Sequence, residues 1–256
     1  MENQKKIAEL YNGDVQIQLK ERNWGSRVIQ SYEVVDNGEV VGKPDLLRVT
    51  DVTGVINKPA LVNWAAKMAC NHLRPIVSEG RMITMEDLDE AQAAHRNAAA
   101  KAAANGTLVH EWAENYIKYG KTDIDHLSGN EAALNGVKAF LKWVNEHNVE
   151  FVSSERRIYS RKEKFVGTMD AEAKVDGKLC VIDFKTSSGI YDEMLLQTAA
   201  YQGAAMEEGS KYDGDRIIVR FDKETGAFES HSYGNFRQDY ATFKAALKLK
   251  RWLTKK

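Results

Sequence analysis

The sequence predicts an α/β (α+β) fold in which a largely helical first part precedes a sheet that carries further helices. Apolar residues recur at helical spacing as far as His147, whereas they alternate with period 2 after Val149. Helical stretches also interrupt and follow the predicted strands, as expected for helices packed on a sheet. The chain has 256 residues, of which 43% are hydrophobic, and it contains no internal repeat or convincing linker. We therefore expect a single domain over residues 1–256.

Residues 1–105 are expected to form a hairpin and a helical elaboration. The turn at residues 36–38 joins two alternating stretches, which predicts a short hairpin. Thr84 and Asp87 are spaced as in a capping box, which predicts the start of an Ala-rich helix that stops at Asn105-Gly106. The predicted elements of this part are strands at 31–35 and 39–41 and helices at about 59–73 and 84–104.

Residues 106–256 are expected to form the core of the fold. Two helices come first, and the second of them has a clear apolar face. The strands that follow are interrupted once by a helix and closed by another. The predicted elements, in order, are helices at 107–119 and 130–147, strands at 150–159, 165–175 and 178–185, a helix at 192–208, strands at 216–221 and 227–233, and a helix at 236–253.

The composition excludes several classes of protein. With 36 Lys+Arg against 37 Asp+Glu the net charge is -1, which argues against a protein that coats nucleic acid through a global basic field. The 2 cysteines, Cys70 and Cys180, cannot form a disulfide framework or a four-thiolate metal site, so a reducing compartment is favoured. Residues 1–6 lead into no apolar signal region, and no stretch of about 18 apolar residues occurs. We therefore expect no membrane span and a cytoplasmic location, in the host cytoplasm if the chain is viral.

One predicted hairpin carries the chemically informative residues. Asp176-Gly177 between two alternating runs predicts a two-residue turn, because both positions favour a positive φ. If Val175 faces Lys178, the same register places Asp170 opposite Asp183. Directly opposed carboxylates, with Cβ atoms about 4.5–5.5 Å apart, destabilise a sheet unless something neutralises them. A divalent cation such as Mg²⁺ or Mn²⁺ would do so, since carboxylates, water and phosphate oxygens are its usual ligands.

The same register sorts the two faces of this hairpin. The residues expected to face the core are Met169, Ala171, Ala173, Val175, Cys180, Ile182 and Phe184. The residues expected on the opposite, polar face are Thr168, Asp170, Glu172, Asp183 and Lys185. A solvated charged face without a metal is the alternative. The turn, however, sets the register independently of the chemistry and still brings the carboxylates together, which favours a metal site.

Further polar residues are expected near these carboxylates. Lys185 lies two residues beyond Asp183 and points to the same face, where it could orient or polarise a water that attacks a phosphate. The next helix supplies Gln197 and Tyr201, which share one helical face because they are four residues apart. A surface glutamine and a half-buried tyrosine are the alternative for this pair.

Motifs in chain order resemble the PD-(D/E)XK nuclease superfamily, specifically its RecB-like branch. They are Gly167-x-x-Asp170, Asp183-x-Lys185 and Gln197-x-x-x-Tyr201. The stretch from Gly106 to His110 resembles the family's G-x-x-x-H on an upstream helix, and residues 52–67 resemble the N-terminal part of phage-type members. Together the motifs span a little over a third of the chain. Met169 stands where the family name has Pro, and the cysteines of the iron–sulfur members are absent.

The resemblance implies a role for individual residues. The implied ligands of Mg²⁺ or Mn²⁺, with no iron–sulfur cluster, are His110, Asp170, Asp183 and, through its carbonyl oxygen, Phe184. The implied catalytic set is Lys185, which would position or activate the water, with Asp170, Asp183, Gln197 and Tyr201. Substrate contacts are implied for Thr168, Thr186, Gln197 and Tyr201, and Glu155 is a weaker candidate for an outer acidic position. Without the family, a helical His110 satisfied by Glu114 would be the simpler interpretation.

The resemblance also implies a fold and an activity. The fold is a restriction-endonuclease-like core with a central mixed sheet flanked by helices, over residues 106–256. The activity is Mg²⁺- or Mn²⁺-dependent hydrolysis of DNA phosphodiesters from a linear end, in replication, recombination or repair, with a phage origin and a recombination or single-strand-annealing protein as partner. The alternatives are a non-catalytic DNA-end-binding module on the same fold and an unrelated carboxylate-rich protein whose hairpin charges are exposed.

If DNA is the substrate, basic residues should be unevenly distributed. Two basic stretches could follow phosphates, and they comprise Lys244, Lys248, Lys250, Arg251, Lys255 and Lys256 in one and Arg156, Arg157, Arg161, Lys162 and Lys164 in the other. A solvated helix end that favours cations explains the first stretch equally well. The aromatic residues expected in the core, rather than stacked on bases, are Trp64, Trp112, Trp143 and Trp252.

Overall fold

The computed structural model describes residues 7–24, 27–42 and 46–255, and for residues 21–24 and 27–30 it describes the backbone alone. The expectation about residues 1–6 lies outside the described residues, as does Lys256 of the basic C-terminal stretch. Within the described ranges, no helix is long and apolar enough to cross a membrane.

The chain has a mixed α+β structure, which confirms the predicted fold class. The strands are β1 (Ile7–Leu10), β2 (Val15–Trp24), β3 (Arg27–Asp36), β4 (Glu39–Val41), β5 (Leu47–Arg48), β6 (Val149–Ser160), β7 (Phe165–Val175), β8 (Lys178–Lys185), β9 (Arg216–Phe221) and β10 (Phe228–Tyr233). The α-helices are α1 (Val49–Thr53), α2 (Pro59–Ser78), α3 (Met85–Tyr119), α4 (Glu131–Glu146), α5 (Asp192–Glu207) and α6 (Phe236–Thr254).

An antiparallel sheet in the order β1-β2-β3-β4 precedes the helices. Its predicted hairpin is confirmed, because Asn37 has φ 50° and Gly38 has φ 83°, as a two-residue turn between twisted strands requires. β2 and β3 are each 10 residues long, so the hairpin strand predicted at 31–35 is only the end of a longer ribbon. Neither β1 nor β2 was predicted from the sequence.

The central sheet is mixed and has the order β10-β9-β8-β7-β5, with β6 also paired to β7. β6 occupies one edge of β7 along its whole length. The other edge is shared, since β8 pairs with residues 171–175 and β5 pairs with residues 165–166. Among the described residues, 167–170 therefore have no strand partner on this edge. This gap is the feature that creates the candidate site.

Helices cover both faces of the central sheet. α3 and α4 pack on one face around the buried rings of Trp112, Phe140 and Trp143. α1, α5 and α6 pack on the other face, where Tyr201 and Phe243 are buried. Large aromatic side chains bury much apolar surface each, so these two layers supply most of the hydrophobic stabilisation of the sheet. A third cluster of buried side chains joins the N-terminal sheet to β6 and β7.

The capping box at Thr84 is confirmed, but the predicted helix end at Gly106 is wrong. Thr84 Oγ1 accepts from Asp87 N at 3.2 Å, and Asp87 Oδ2 accepts from Thr84 N at 2.8 Å. The helix then runs unbroken through Gly106, which is buried. A Cβ on Gly106 would lie 2.8 Å from Thr186 Oγ1, so the glycine permits a close contact with the segment after β8 instead of ending the helix.

The predicted sorting of hairpin faces is partly wrong. Ala171 and Ile182 pack under α3 and α4 as expected, but Met169 packs in the opposite cluster with Tyr201. On a regular strand, residues i and i+2 point to the same face. Met169 and Ala171 point to opposite faces, so the regular alternation of β7 ends next to its last residue paired with β8. On the expected polar face, Glu172 and Asp183 are buried, at 4% and 0% exposed, whereas Thr168, Asp170 and Lys185 are partly exposed.

The predicted burial of the tryptophans is correct for two of them. Trp112 and Trp143 are buried in the α3 and α4 layer, and Trp64 is half-buried. The expectation for Trp252 is wrong, because its side chain is exposed. Trp252 lies in the last turns of α6, beyond Phe243 and Leu247, which are the buried residues of that helix.

Gly136 gives a test of the α3 and α4 interface. A Cβ at this position would lie 2.6 Å from Val109 Cγ2. Alanine normally stabilises a helix relative to glycine by about 1 kcal/mol, but overpacking a core costs about 1–3 kcal/mol. We expect Gly136→Ala to lower the free energy of unfolding, measured by urea titration. Adding Val109→Ala should make the double variant less destabilised than the sum of the two single changes, and additive or stabilising behaviour would contradict this packing.

Candidate metal centre

Residues 167–170 of β7 form the floor of the gap between β5 and β8. Gly167 lies where a Cβ would be 2.9 Å from Tyr201 Cε1 and 3.3 Å from Val49 Cγ2. Only glycine therefore lets the Tyr201 ring and α1 approach the strand this closely. This is a physical reason for a glycine three residues before Asp170.

The ladder between β7 and β8 follows the register predicted from the turn, but it stops one pair early. Ala171 faces Ile182, and the predicted pair of Asp170 with Asp183 is not part of the ladder. Instead, the backbone N–H of Phe184 donates to Asp170 Oδ2 at 2.8 Å. In a regular sheet, a backbone carbonyl of β7 would accept this hydrogen bond. Here the Asp170 side chain accepts it, and the β7–β8 ladder ends at this point.

Three side chains from different elements converge on this point. One ligand atom from each of His110, Glu155 and Asp170 lies within 4.8 Å of the other two. His110 Nδ1 is 3.8 Å from Asp170 Oδ1, and the His110 side chain is 30% exposed. The sequence-based alternative that Glu114 satisfies His110 is not favoured, since Glu114 pairs with Lys118. An imidazole nitrogen with two carboxylates is a donor set that suits Mn²⁺ or Mg²⁺.

Glu155 reaches this cluster through an unusual backbone conformation. It has φ 51° within β6, in the left-handed region that a non-glycine residue rarely occupies in a strand. Such strain persists where the surrounding structure imposes it, and it is concentrated at functional sites. Burial and the neighbouring Asp170 carboxylate raise the pKa of Glu155 to about 8. No sequence pattern indicated this conformation, and Glu155 was therefore predicted only as a weaker candidate for an outer acidic position.

Asp183 and Lys185 of β8 pair with each other, and neither is among the described residues that line the cleft. Asp183 is fully buried, and Lys185 Nζ lies 2.5 Å from Asp183 Oδ2. Neither carboxylate oxygen accepts a hydrogen bond of regular geometry from a described residue, so the pairing is that of two charges in contact. Burial raises the pKa of Asp183, and the positive charge of Lys185 limits that rise. The alternative in which the hairpin charges are simply exposed is therefore wrong for Asp183.

Lys185 stays protonated in this setting. Burial opposes its charged form, but the Asp183 and Asp170 carboxylates outweigh that effect and raise the pKa of Lys185. An ammonium group with a raised pKa donates hydrogen bonds and supplies positive charge. It does not accept a proton at neutral pH, so it can orient a water or stabilise a phosphate oxygen without acting as a general base.

Gln197 and Tyr201 support the wall of the site. Gln197 Nε2 donates to the Tyr201 hydroxyl at 2.8 Å, and the Tyr201 ring is buried against β7. Burial, followed by the charges of Asp183 and Asp170, raises the pKa of Tyr201, which keeps the phenol protonated. Tyr201 lines the cleft, whereas the described lining does not include Gln197.

The two threonines predicted to contact substrate both line the cleft. Thr168 Oγ1 forms a hydrogen bond of 2.8 Å with the hydroxyl of Tyr32, a residue of the N-terminal sheet. Thr186 packs against Gly106 on α3. The sequence did not identify Tyr32 as a site residue, because its hydrogen-bond partner Thr168 is remote in the chain.

The cleft has a volume of about 1120 Å³, and the N-terminal sheet forms part of its wall. Of the basic stretch before β7, Arg156 and Arg157 line the cleft, as does Arg48 of β5. Some members of the stretch are held by acids of the protein itself. Arg156 binds Glu172 and Glu208, and Arg161 binds Asp36. The expectation that this whole stretch follows phosphates is therefore too broad.

No family model and no curated protein matches this chain. Among solved structures, one described as "Crystal structure of SSO0001" is 18% identical over 83% of this chain and 78% of that chain, with a TM-score of 0.38.

The raised pKa of Glu155 predicts a pH dependence of stability. The carboxyl group keeps its proton in the folded state up to a pH of about 8, compared with an ordinary value of 4.5. Between these values only the unfolded chain loses the proton, so the free energy of unfolding falls as pH rises, with a slope of at most about 1.4 kcal/mol per pH unit. We expect Glu155→Gln to reduce this slope in urea titrations of the metal-free protein.

Glu150→Gln is the matched control for this experiment, since Glu150 is an exposed glutamate on the same strand. It should leave the slope unchanged. Equal slopes for wild type and Glu155→Gln would contradict the proposed protonation of Glu155.

Proposed function

We propose that this chain is a Mg²⁺- or Mn²⁺-dependent deoxyribonuclease with a restriction-endonuclease-like core, and that it acts as an exonuclease on linear DNA. The observation that carries the proposal is the convergence of His110, Glu155 and Asp170 on one point of the cleft. The Asp183–Lys185 pair follows on the neighbouring strand β8. The resemblance of the same residues to the RecB-like motifs supports it. The setting proposed is DNA replication, recombination or repair.

The residues present fit a divalent cation. His110, Glu155 and Asp170 would hold it, whereas the buried Asp183 carboxylate pairs with Lys185. When bound, a cation of this kind lowers the pKa of water and offsets negative charge on a phosphate. Burial raises the pKa values of Glu155 and Asp183, which favours their protonated forms in the metal-free protein.

The chain's own residues supply the remaining requirements of phosphodiester hydrolysis. In that reaction a water oxygen bonds to phosphorus, the bond from phosphorus to the leaving sugar oxygen breaks, and the water proton ends on solvent or the leaving oxygen. Lys185 would hold the water or the phosphate by its ammonium group, which Asp183 fixes in place. Tyr201, held by Gln197, would keep the wall of the cleft rigid. Positioning of this kind supplies much of the rate in phosphoryl transfer.

Cleavage of end-labelled DNA tests the proposal. Purified protein with Mg²⁺ or Mn²⁺ should degrade linear single- or double-stranded DNA and spare closed circles. We expect Lys185→Ala and Asp170→Asn each to lower the rate at least about 100-fold, because each removes charge or a donor that acts on the reacting phosphate. Thermal unfolding of both variants should confirm that they remain folded.

Lys174→Ala is the matched control, since Lys174 is an exposed lysine on the same hairpin. It should retain wild-type activity. Undiminished cleavage by both site variants would refute the proposal. Tight binding of DNA ends with no cleavage under several divalent cations would favour a non-catalytic DNA-end-binding module instead.

A further inference from the structure

α2 and the first half of α3 form a helical hairpin whose far end carries exposed apolar side chains. α2 packs mainly against α3, and Ile76 is the buried residue that it contributes to the core. At the hairpin tip, defined as residues 77–90, Met82 is 86% exposed and Met85 is 74% exposed. Val77, Ile83 and Leu88 are exposed beside them. Apolar side chains concentrated in this way mark a surface that binds a partner, and methionines adapt readily to one.

The hairpin tip is also acidic. Its one basic residue, Arg81, is held by Asp87 with bonds of 2.6 and 3.0 Å. The remaining charged residues of the tip are Glu79, Glu86, Asp89 and Glu90, all of them exposed. A partner surface for this tip must therefore combine apolar side chains with positive charge.

The last turns of α6 have these properties. Leu249 and Leu253 are 46% and 47% exposed, and they share a side of the helix because they are four residues apart. Leu247, by contrast, is buried against the core. Within the α6 end, defined as residues 244–255, every charged residue is basic, and these are Lys244, Lys248, Lys250, Arg251 and Lys255.

We propose that the chain associates with a second copy of itself head to tail, with the hairpin tip of one copy on the α6 end of the next. Both surfaces are exposed in the single chain, so neither covers the other within one molecule. Like charges oppose pairing of either surface with its own copy, whereas opposite charges favour pairing of the tip with the α6 end. Such a contact is heterologous, and it generates a ring or a filament according to whether the rotation closes.

Two double variants, each with substitutions at exposed positions, test whether the hairpin tip binds the α6 end. Met82→Ser with Met85→Ser removes apolar area from the tip, and Leu249→Ser with Leu253→Ser removes it from the α6 end. Leu61→Ser with Val62→Ser is the matched control, because these exposed residues lie at the opposite end of α2. Masses are measured by light scattering and sedimentation over a range of concentrations, and circular dichroism checks that each variant is folded.

The wild type and the control should give masses that are multiples of 28.8 kDa, and rising salt should weaken the association. Each double variant alone should be a monomer. An equimolar mixture of the two should form a one-to-one dimer, because the intact tip of one variant still meets the intact α6 end of the other.

Several results would overturn the proposal. A wild type that stays monomeric at every concentration excludes it. Loss of association in one double variant but not in the other shows that a single surface pairs with itself or with a different region. A mixture that remains monomeric shows that the tip and the α6 end do not bind each other. The substituted residues lie outside the cleft lining, so failure of this proposal would leave the proposed deoxyribonuclease activity untouched.

Discussion

The hydrogen bond from the Phe184 backbone to the Asp170 carboxylate is the contact on which the geometry of the cleft depends. It lies where the β7 and β8 ladder ends, and the short strand β5 takes up the far end of the same edge. The intervening residues of β7 are open to the cleft for this reason. His110 on α3 and Glu155 on β6 approach Asp170 at this point.

The same arrangement places acidic groups close together at a cost in folding free energy. Glu155 and Asp183 have raised pKa values because burial disfavours their charged forms, and the neighbouring Asp170 adds to that effect. Lys185 offsets part of the charge at Asp183, Lys118 and Arg157 offset part of it at Glu155, and the raised pKa values favour bound protons on both carboxyl groups. A divalent cation would replace those protons, so cation binding and proton release are coupled in a site of this type.

The sequence predicted the local features well and the long-range ones poorly. Strong periodicity located β6 to β10 and α4 to α6 to within a few residues, and Asp176-Gly177 set the β7 and β8 register as far as Ala171. Gly106 was misread because its role depends on Thr186, which is remote in the chain. The positive φ of Glu155 and the burial of Asp183 depend on tertiary packing, which no local pattern records. The candidate residues were therefore identifiable, but their arrangement around one point was not.

Electron spin-echo spectroscopy of protein-bound Mn²⁺ tests most directly whether His110, Glu155 and Asp170 hold a divalent cation. An imidazole nitrogen bound to Mn²⁺ modulates the echo, whereas carboxylate and water oxygens do not. We predict nitrogen modulation in the wild type, its loss in His110→Gln with Mn²⁺ still bound, and greatly weakened Mn²⁺ binding in Asp170→Asn. Mn²⁺ that binds without nitrogen modulation, or that binds Asp170→Asn as tightly as the wild type, would contradict this assignment.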